Sequence, residues 1–158
     1  MKKMLRYALP VVLCLAVGYV SGEVTKENIA TWYVHLNKPF FNPPNWIFAP
    51  VWTILYLLMG FAAGKVWNDE SSSKEVIKKA LLFFSAQLAL NAAWSYLFFG
   101  WHNPLLALLE IILLALMIYE TYVQFKKINK DAGYLLLPYL AWVGFATILT
   151  ASIWWLNK

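Results

Sequence analysis

The stretch "WYVHLNKPFFNPPNWIFAPVWTILY", Trp32–Tyr56, holds three Trp, two Tyr, three Phe and four Pro in 25 residues. It divides at Pro44. Before that point Pro39, Pro43 and Pro44 interrupt regular backbone hydrogen bonding, and aromatic rings crowd between them. From Asn45 the chain stays apolar as far as Trp67. A helix of that length, at about 1.5 Å per residue, crosses a hydrocarbon core of ~30 Å. The stretch therefore reads as a structured connector feeding a membrane-spanning helix. Its prolines, with Pro50, stiffen the entry into that helix.

Composition agrees with a membrane setting. Of 158 residues, 61% are hydrophobic and only 13% are charged, against roughly 25% charged in a soluble domain. The surplus apolar surface needs lipid. Cys14 is the only cysteine, so an internal disulfide and a multi-thiolate metal site are excluded. The net charge of +5 sits at the ends of apolar segments, which is a mark of membrane topology rather than of nucleic-acid binding. The start, "MKKMLRYALPVVLCLAVGYVSG" (Met1–Gly22), has a basic and then apolar pattern shared with signal peptides. It lacks a convincing cleavage pattern and is read as a retained first helix.

Five segments are long enough to span: roughly residues 5–22, 45–67, 76–99, 104–125 and 132–156, forming one domain over 1–158. The polar turn "NDESSSKE" (Asn68–Glu75), the tight turn "GWHNP" (Gly100–Pro104) and the charged "KKINKDAG" (Lys126–Gly133) separate the later ones. The expected fold is an all-α, five-helix membrane bundle. A long structured external loop, residues 23–44, would act as a lid between helices one and two, because long connectors rich in aromatics are seldom disordered. Lys and Arg on alternate sides number ten against three. By the positive-inside rule the N-terminus is then cytoplasmic, and the first loop and the C-terminus are external.

Polar groups within spans are costly and point to sites. Gln87, Asn91 and Ser95, four residues apart, share about 80° of one helix face at about 100° per residue. They either look into a cavity or cross-link helices. Ser85, Ala86, Ala89 and Ala93 lie nearly opposite and form a small-residue face suited to close helix packing, here assigned to a homodimer interface. On the last helix Tyr139, Trp142 and Ala146 share a sector of about 60°, and Trp52 and Tyr56 form an i, i+4 pair on the second. Indole N–H groups and amides converging on an apolar space suit a small-molecule pocket. Gly18/Gly22 and Gly60/Gly64 read as close-packing pairs. Glu110 is a candidate proton or cation site, and His35 and His102 are candidate iron ligands or, more simply, loop residues. No nucleophile–base pair, phosphate-binding loop or metal-ligand cluster is evident, so conventional hydrolase or transferase chemistry is not indicated.

"KPFFNPPNWIFAPVWTILYLLMG" (Lys38–Gly60), "QLALNAAWSYLFFG" (Gln87–Gly100) and "PYLAWVGFATIL" (Pro138–Leu149) together resemble the TspO/translocator protein family across essentially the whole chain. The resemblance implies a homodimeric five-helix bundle with a lidded pocket for tetrapyrroles such as protoporphyrin IX and haem. The same pocket would take isoquinoline carboxamide or benzodiazepine drugs. Trp52, Asn91, Trp142 and Ala146 match family pocket residues and Tyr33 a lid residue, while Ser95 and Tyr139 join them from the helical-face argument. Some members are associated with light-dependent oxidative porphyrin breakdown, for which Trp52 and Trp142 are the candidate catalytic residues. No tightly bound cofactor or metal is expected, only porphyrin as ligand or substrate, with light and oxygen. The end, "LTASIWWLNK" (Leu149–Lys158), lacks the Tyr of the animal members' sterol motif, which suggests a bacterial-type protein in a plasma membrane. Alternatives are a transporter or channel for amphipathic molecules, or a non-catalytic stress sensor.

Overall fold

A computed structural model describes residues 2–158. All regular structure among them is helical: α1 (Lys2–Ile29), α2 (Asn45–Trp67), α3 (Lys74–Ser95), α4 (Pro104–Ile128), α5 (Lys130–Tyr134) and α6 (Leu137–Leu156). A short 3₁₀ turn (Tyr33–His35) lies in the first connector, and a π turn (Tyr96–Gly100) extends α3. Five segments are long and apolar enough to cross a membrane, the last comprising α5 and α6 together. The chain is an integral, multi-pass membrane protein.

Two boundaries depart from expectation for clear reasons. The first connector was expected to begin at Glu23, but α1 continues to Ile29 and leaves residues 30–44 as the loop. Charged residues end a hydrophobic run without ending a helix, since Glu and Lys are good helix formers. Thr25 and Asn28 also return their side-chain hydrogen bonds to the carbonyls of Ser21 and Val24. The last span is not continuous either. Pro138 cannot donate, and its ring clashes with the carbonyl four residues back, so the helix breaks at Leu135–Leu136 and restarts with Pro138 in the first turn of α6. Elsewhere capping is as the residues suggest: Ser73, Asn103 and Asn129 each accept a backbone N–H at the start of α3, α4 and α5.

Ion pairs join the connectors in two sets. Lys3 meets Glu70 at 2.8 Å and Lys65 meets Asp131 at 3.6 Å. The N-terminus and the second and fourth connectors thus share one end of the bundle. At the opposite end the last turn of α1 meets the third connector through Asn28 and His102, and the first connector meets the C-terminus through Asn37 and Asn157.

Helices α1 and α2 touch through glycine. A Cβ on Gly60 would stand 2.5 Å from the Val11 Cα, one on Gly18 would stand 2.5 Å from the Tyr56 ring, and one on Gly64 would collide with Tyr7. Three of the four expected close-packing glycines do pack. Gly22 does not, since nothing lies within 4 Å of its added Cβ. Gly60→Val should therefore destabilise the bundle by about 1–3 kcal/mol through overpacking. A lowered thermal-unfolding midpoint in detergent measures this, while Gly22→Ala should leave the midpoint unchanged.

Candidate functional site

Above Gly18, α1 and α2 diverge, and with α3 and α6 they enclose a cavity of about 580 Å³. This is within the usual range of small-molecule sites, roughly 300–1,000 Å³. Trp52 and Phe48 come from α2, Asn91 and Ser95 from α3, and Trp142 and Ala146 from α6. Helical spacing of three or four residues explains how each helix presents two such side chains to one space. Tyr33 closes the top from the connector.

The floor is held by a chain of hydrogen bonds. Tyr56 Oη donates to Asn91 Oδ1 at 2.5 Å, Asn91 Nδ2 donates to Tyr139 Oη at 2.7 Å, and Tyr139 Oη donates to Gln87 Oε1 at 2.8 Å. Three helices, α2, α3 and α6, are tied by four side chains. The polar stripe of α3 thus takes both roles left open above. Gln87, fully buried, cross-links only; Asn91 cross-links and faces the cavity; Ser95 faces the cavity. Tyr139 is also fully buried and stands behind the wall, not on it. Its ring packs edge-on against Trp52 at 6.2 Å, and Tyr56 tilts against the same indole at 5.7 Å. Trp142 is flanked by Phe48 at 6.1 Å and Phe145 at 5.5 Å. The two tryptophans are therefore held in a frame of rings. The indole N–H groups of Trp94 and Trp142 have no protein acceptor, and the Ser21 hydroxyl has no partner. An indole N–H can only donate.

The roof is tied down from several sides. Tyr33 Oη donates to Asn42 Oδ1 at 2.7 Å, and burial pushes this phenol up to about 12, so it remains a donor at neutral pH. Lys38 Nζ donates to the carbonyls of Tyr33 and Leu36. Asn157 clamps the backbone of Asn37, accepting from its N–H at 2.9 Å and donating to its carbonyl at 2.8 Å. His102 stacks on Trp32 with centroids 4.4 Å apart, and its Nε2 lies 2.8 Å from Asn28 Oδ1. His102 thus braces the loops, and neither it nor His35 lines the cavity. Glu110 is outside the cavity too, with both carboxylate oxygens unpartnered. Ser85, Ala86 and Ala89 are exposed on the outer face of α3, and Ala93 is half-buried. Reasoning from sequence missed Phe48, Trp94 and Ser21 as wall residues. Phe48 was within reach, four residues before Trp52 on the same helix face.

Tyr139→Phe removes the central hydroxyl of the floor and strands Asn91 and Gln87. A loss of about 1–3 kcal/mol is expected for the unpaired buried groups, read as a lowered unfolding midpoint. Asn157→Ala should leave the bundle's stability nearly unchanged while speeding hydrogen exchange across residues 30–44.

The TspO/MBR family model matches residues 10–156. The chain is 43% identical over 156 residues to the tryptophan-rich protein TspO of Chlorobaculum tepidum, covering 99% of this chain and 98% of that one. It is 40% identical over 153 residues to the protein of the same name from Archaeoglobus fulgidus, covering 97% of each. The translocator protein of Bos taurus is 35% identical over 141 residues, covering 89% of this chain and 83% of that one. The family match over most of the chain and these relatives, together with five helices long and apolar enough to span a membrane, show that the chain belongs to the TspO/MBR family.

Proposed function

We propose that this protein binds tetrapyrroles, with protoporphyrin IX and haem as the reference ligands, and promotes their light-dependent oxidative degradation. The observation that supports this reading best is the cavity itself, where Trp52 and Trp142 both stand on the walls of one largely apolar space. A flat aromatic macrocycle stacks favourably on indole faces. In the proposed reaction, light excites the bound porphyrin, which takes one electron from an adjacent indole and passes it to dioxygen. The indole radical then recovers its electron from the macrocycle. The net change is oxidation of porphyrin and reduction of oxygen, with tryptophan as relay. The same ring-lined space suits isoquinoline carboxamide and benzodiazepine drugs.

The exposed face of Ser85, Ala86 and Ala89, continued by Ala93, is proposed as a homodimer contact, because small residues let helices approach closely in lipid. The charge bias supports a cytoplasmic N-terminus in a bacterial plasma membrane. A transporter would be expected to carry helix breaks at mid-depth. The two irregularities here, Tyr96–Gly100 and Leu135–Leu136, lie at span ends, so binding and photochemistry are preferred to transport.

The test is titration of purified protein with protoporphyrin IX, followed by absorbance in light and in darkness. Wild type should show fluorescence quenching on binding and porphyrin loss only in light. Trp52→Phe/Trp142→Phe should bind within a few fold of wild type yet degrade porphyrin at least ~10-fold more slowly, about 1.4 kcal/mol in barrier. Equal rates in the double variant would refute the tryptophan relay.

A further inference from the structure

Among the four glycines expected to pack closely, the failure of Gly22 to do so raises a question about how the cavity is reached. Gly22 lines the cavity and is at the same time exposed on the outer surface of α1. So are Tyr19 and Lys26 on α1 and Ala49 and Thr53 on α2. Side chains that face both an interior space and the outside mark the edges of an opening. This opening is a slit between α1 and α2. Its lower end is shut where Gly18 meets the Tyr56 ring. From Gly18 to Lys26 the helix rises about 12 Å; the half below Glu23 is apolar and suits acyl chains, and the half from Glu23 to Lys26 is charged and suits headgroups. Exposed Val20 and Ile54 flank it, as expected for contact with acyl chains. The slit runs up as far as Ala30 and Asn45, which also line the cavity and are exposed, and beyond them the connector covers the top, tied through Asn42, Asn157 and Lys38.

Helix α1 forms one side of this slit. Only Pro10, Cys14 and Ser21 of its 28 residues are buried. Its lower half is locked by the glycine contacts with α2, and its upper half rests through Val24 and Ile29 on the cluster of Tyr33, Phe98 and Phe99 and through Asn28 on His102. Charge is confined to the rim. Glu23 and Lys26 are the only charged residues lining the cavity, and both are exposed.

We infer that the cavity is filled sideways from the bilayer through the α1–α2 slit, with Gly22 as its threshold, and not from water through the lid. Its ligands are amphiphiles already dissolved in the membrane, which bury an uncharged body and leave an ionic substituent at the rim beside Lys26. This rests on the ligand-binding reading above for what enters, but the route can be tested without porphyrin.

The route is read with a thiol in the cavity. Ser21→Cys is made in a Cys14→Ser background and reconstituted in phosphatidylcholine vesicles. N-phenylmaleimide, which partitions into lipid, is compared with a charged methanethiosulfonate confined to water. The lipid-soluble reagent should label rapidly, and Gly22→Phe or Ala49→Phe should slow it at least tenfold. Asn157→Ala, which loosens the lid, should leave the rate unchanged. Neither site is packed against a neighbour closely enough to forbid the ring, and the unfolding midpoint confirms that each variant is folded. Access is instead through the lid if both ring variants label at the parent rate, or if Asn157→Ala lets the water-soluble reagent label as fast as the maleimide.

Protoporphyrin IX delivered from donor vesicles gives the second readout. A narrowed slit slows exit as well as entry, so dissociation of bound porphyrin should fall about tenfold in both ring variants. Loss of a binding contact would instead speed dissociation and overturn the slit reading. If wild type takes up no porphyrin, the tetrapyrrole reading fails while the thiol result still decides the route.

Discussion

Four polar side chains placed at membrane depth constrain everything around them. Gln87 and Tyr139 are sealed from the cavity and Tyr56 and Asn91 stand at its floor, and within a span such groups must find partners in the protein. They do so with one another, across α2, α3 and α6. Individual hydrogen bonds of this kind contribute about 0.6–2 kcal/mol in membrane bundles. Their larger effect is geometric, because satisfying all of them allows very few relative positions of the three helices. Those positions set where Trp52, Trp142 and Ala146 stand, and therefore the shape of the cavity.

The first two helices follow a different rule. No polar link joins α1 to α2 in the apolar region; close approach through Gly18, Gly60 and Gly64 does so instead. Dispersion between closely packed surfaces is the main attraction available between apolar helices in lipid. It operates only where the backbones can meet. Above Gly18 they no longer meet, and the gap becomes part of the cavity. A polar linkage across α2, α3 and α6 and an apolar, glycine-mediated seam between α1 and α2 thus coexist in one small bundle. The lid adds a third mode of attachment, a set of side-chain caps on loop carbonyls and amides at the polar end.

Much of this was legible in the residues. The five spans announced themselves by hydrophobic length. Asn91, Ser95, Trp52, Trp142, Ala146 and Tyr33 stand out by helical spacing or by resemblance, and they line the cavity. The errors have physical causes. The first loop was drawn too long because polarity was taken to end α1, when only the hydrocarbon ends there. Tyr139 was grouped with Trp142 and Ala146 because a helical wheel reports direction and not depth. Gly22 was paired with Gly18 because spacing says where a small residue sits but not whether anything opposes it.

The sequence alone determined that this chain lives in a membrane, how many times it crosses, which helix faces carry polar or aromatic groups, and which family it resembles. These are properties of single helices in a low-dielectric solvent, where length and periodicity dominate. Only the tertiary structure decided that Gln87 and Tyr139 build the floor, that Asn157 clamps the lid, and that α1 and α2 part above Gly18. Each of those depends on what lies across a gap, and a local pattern contains no information about its opposite wall.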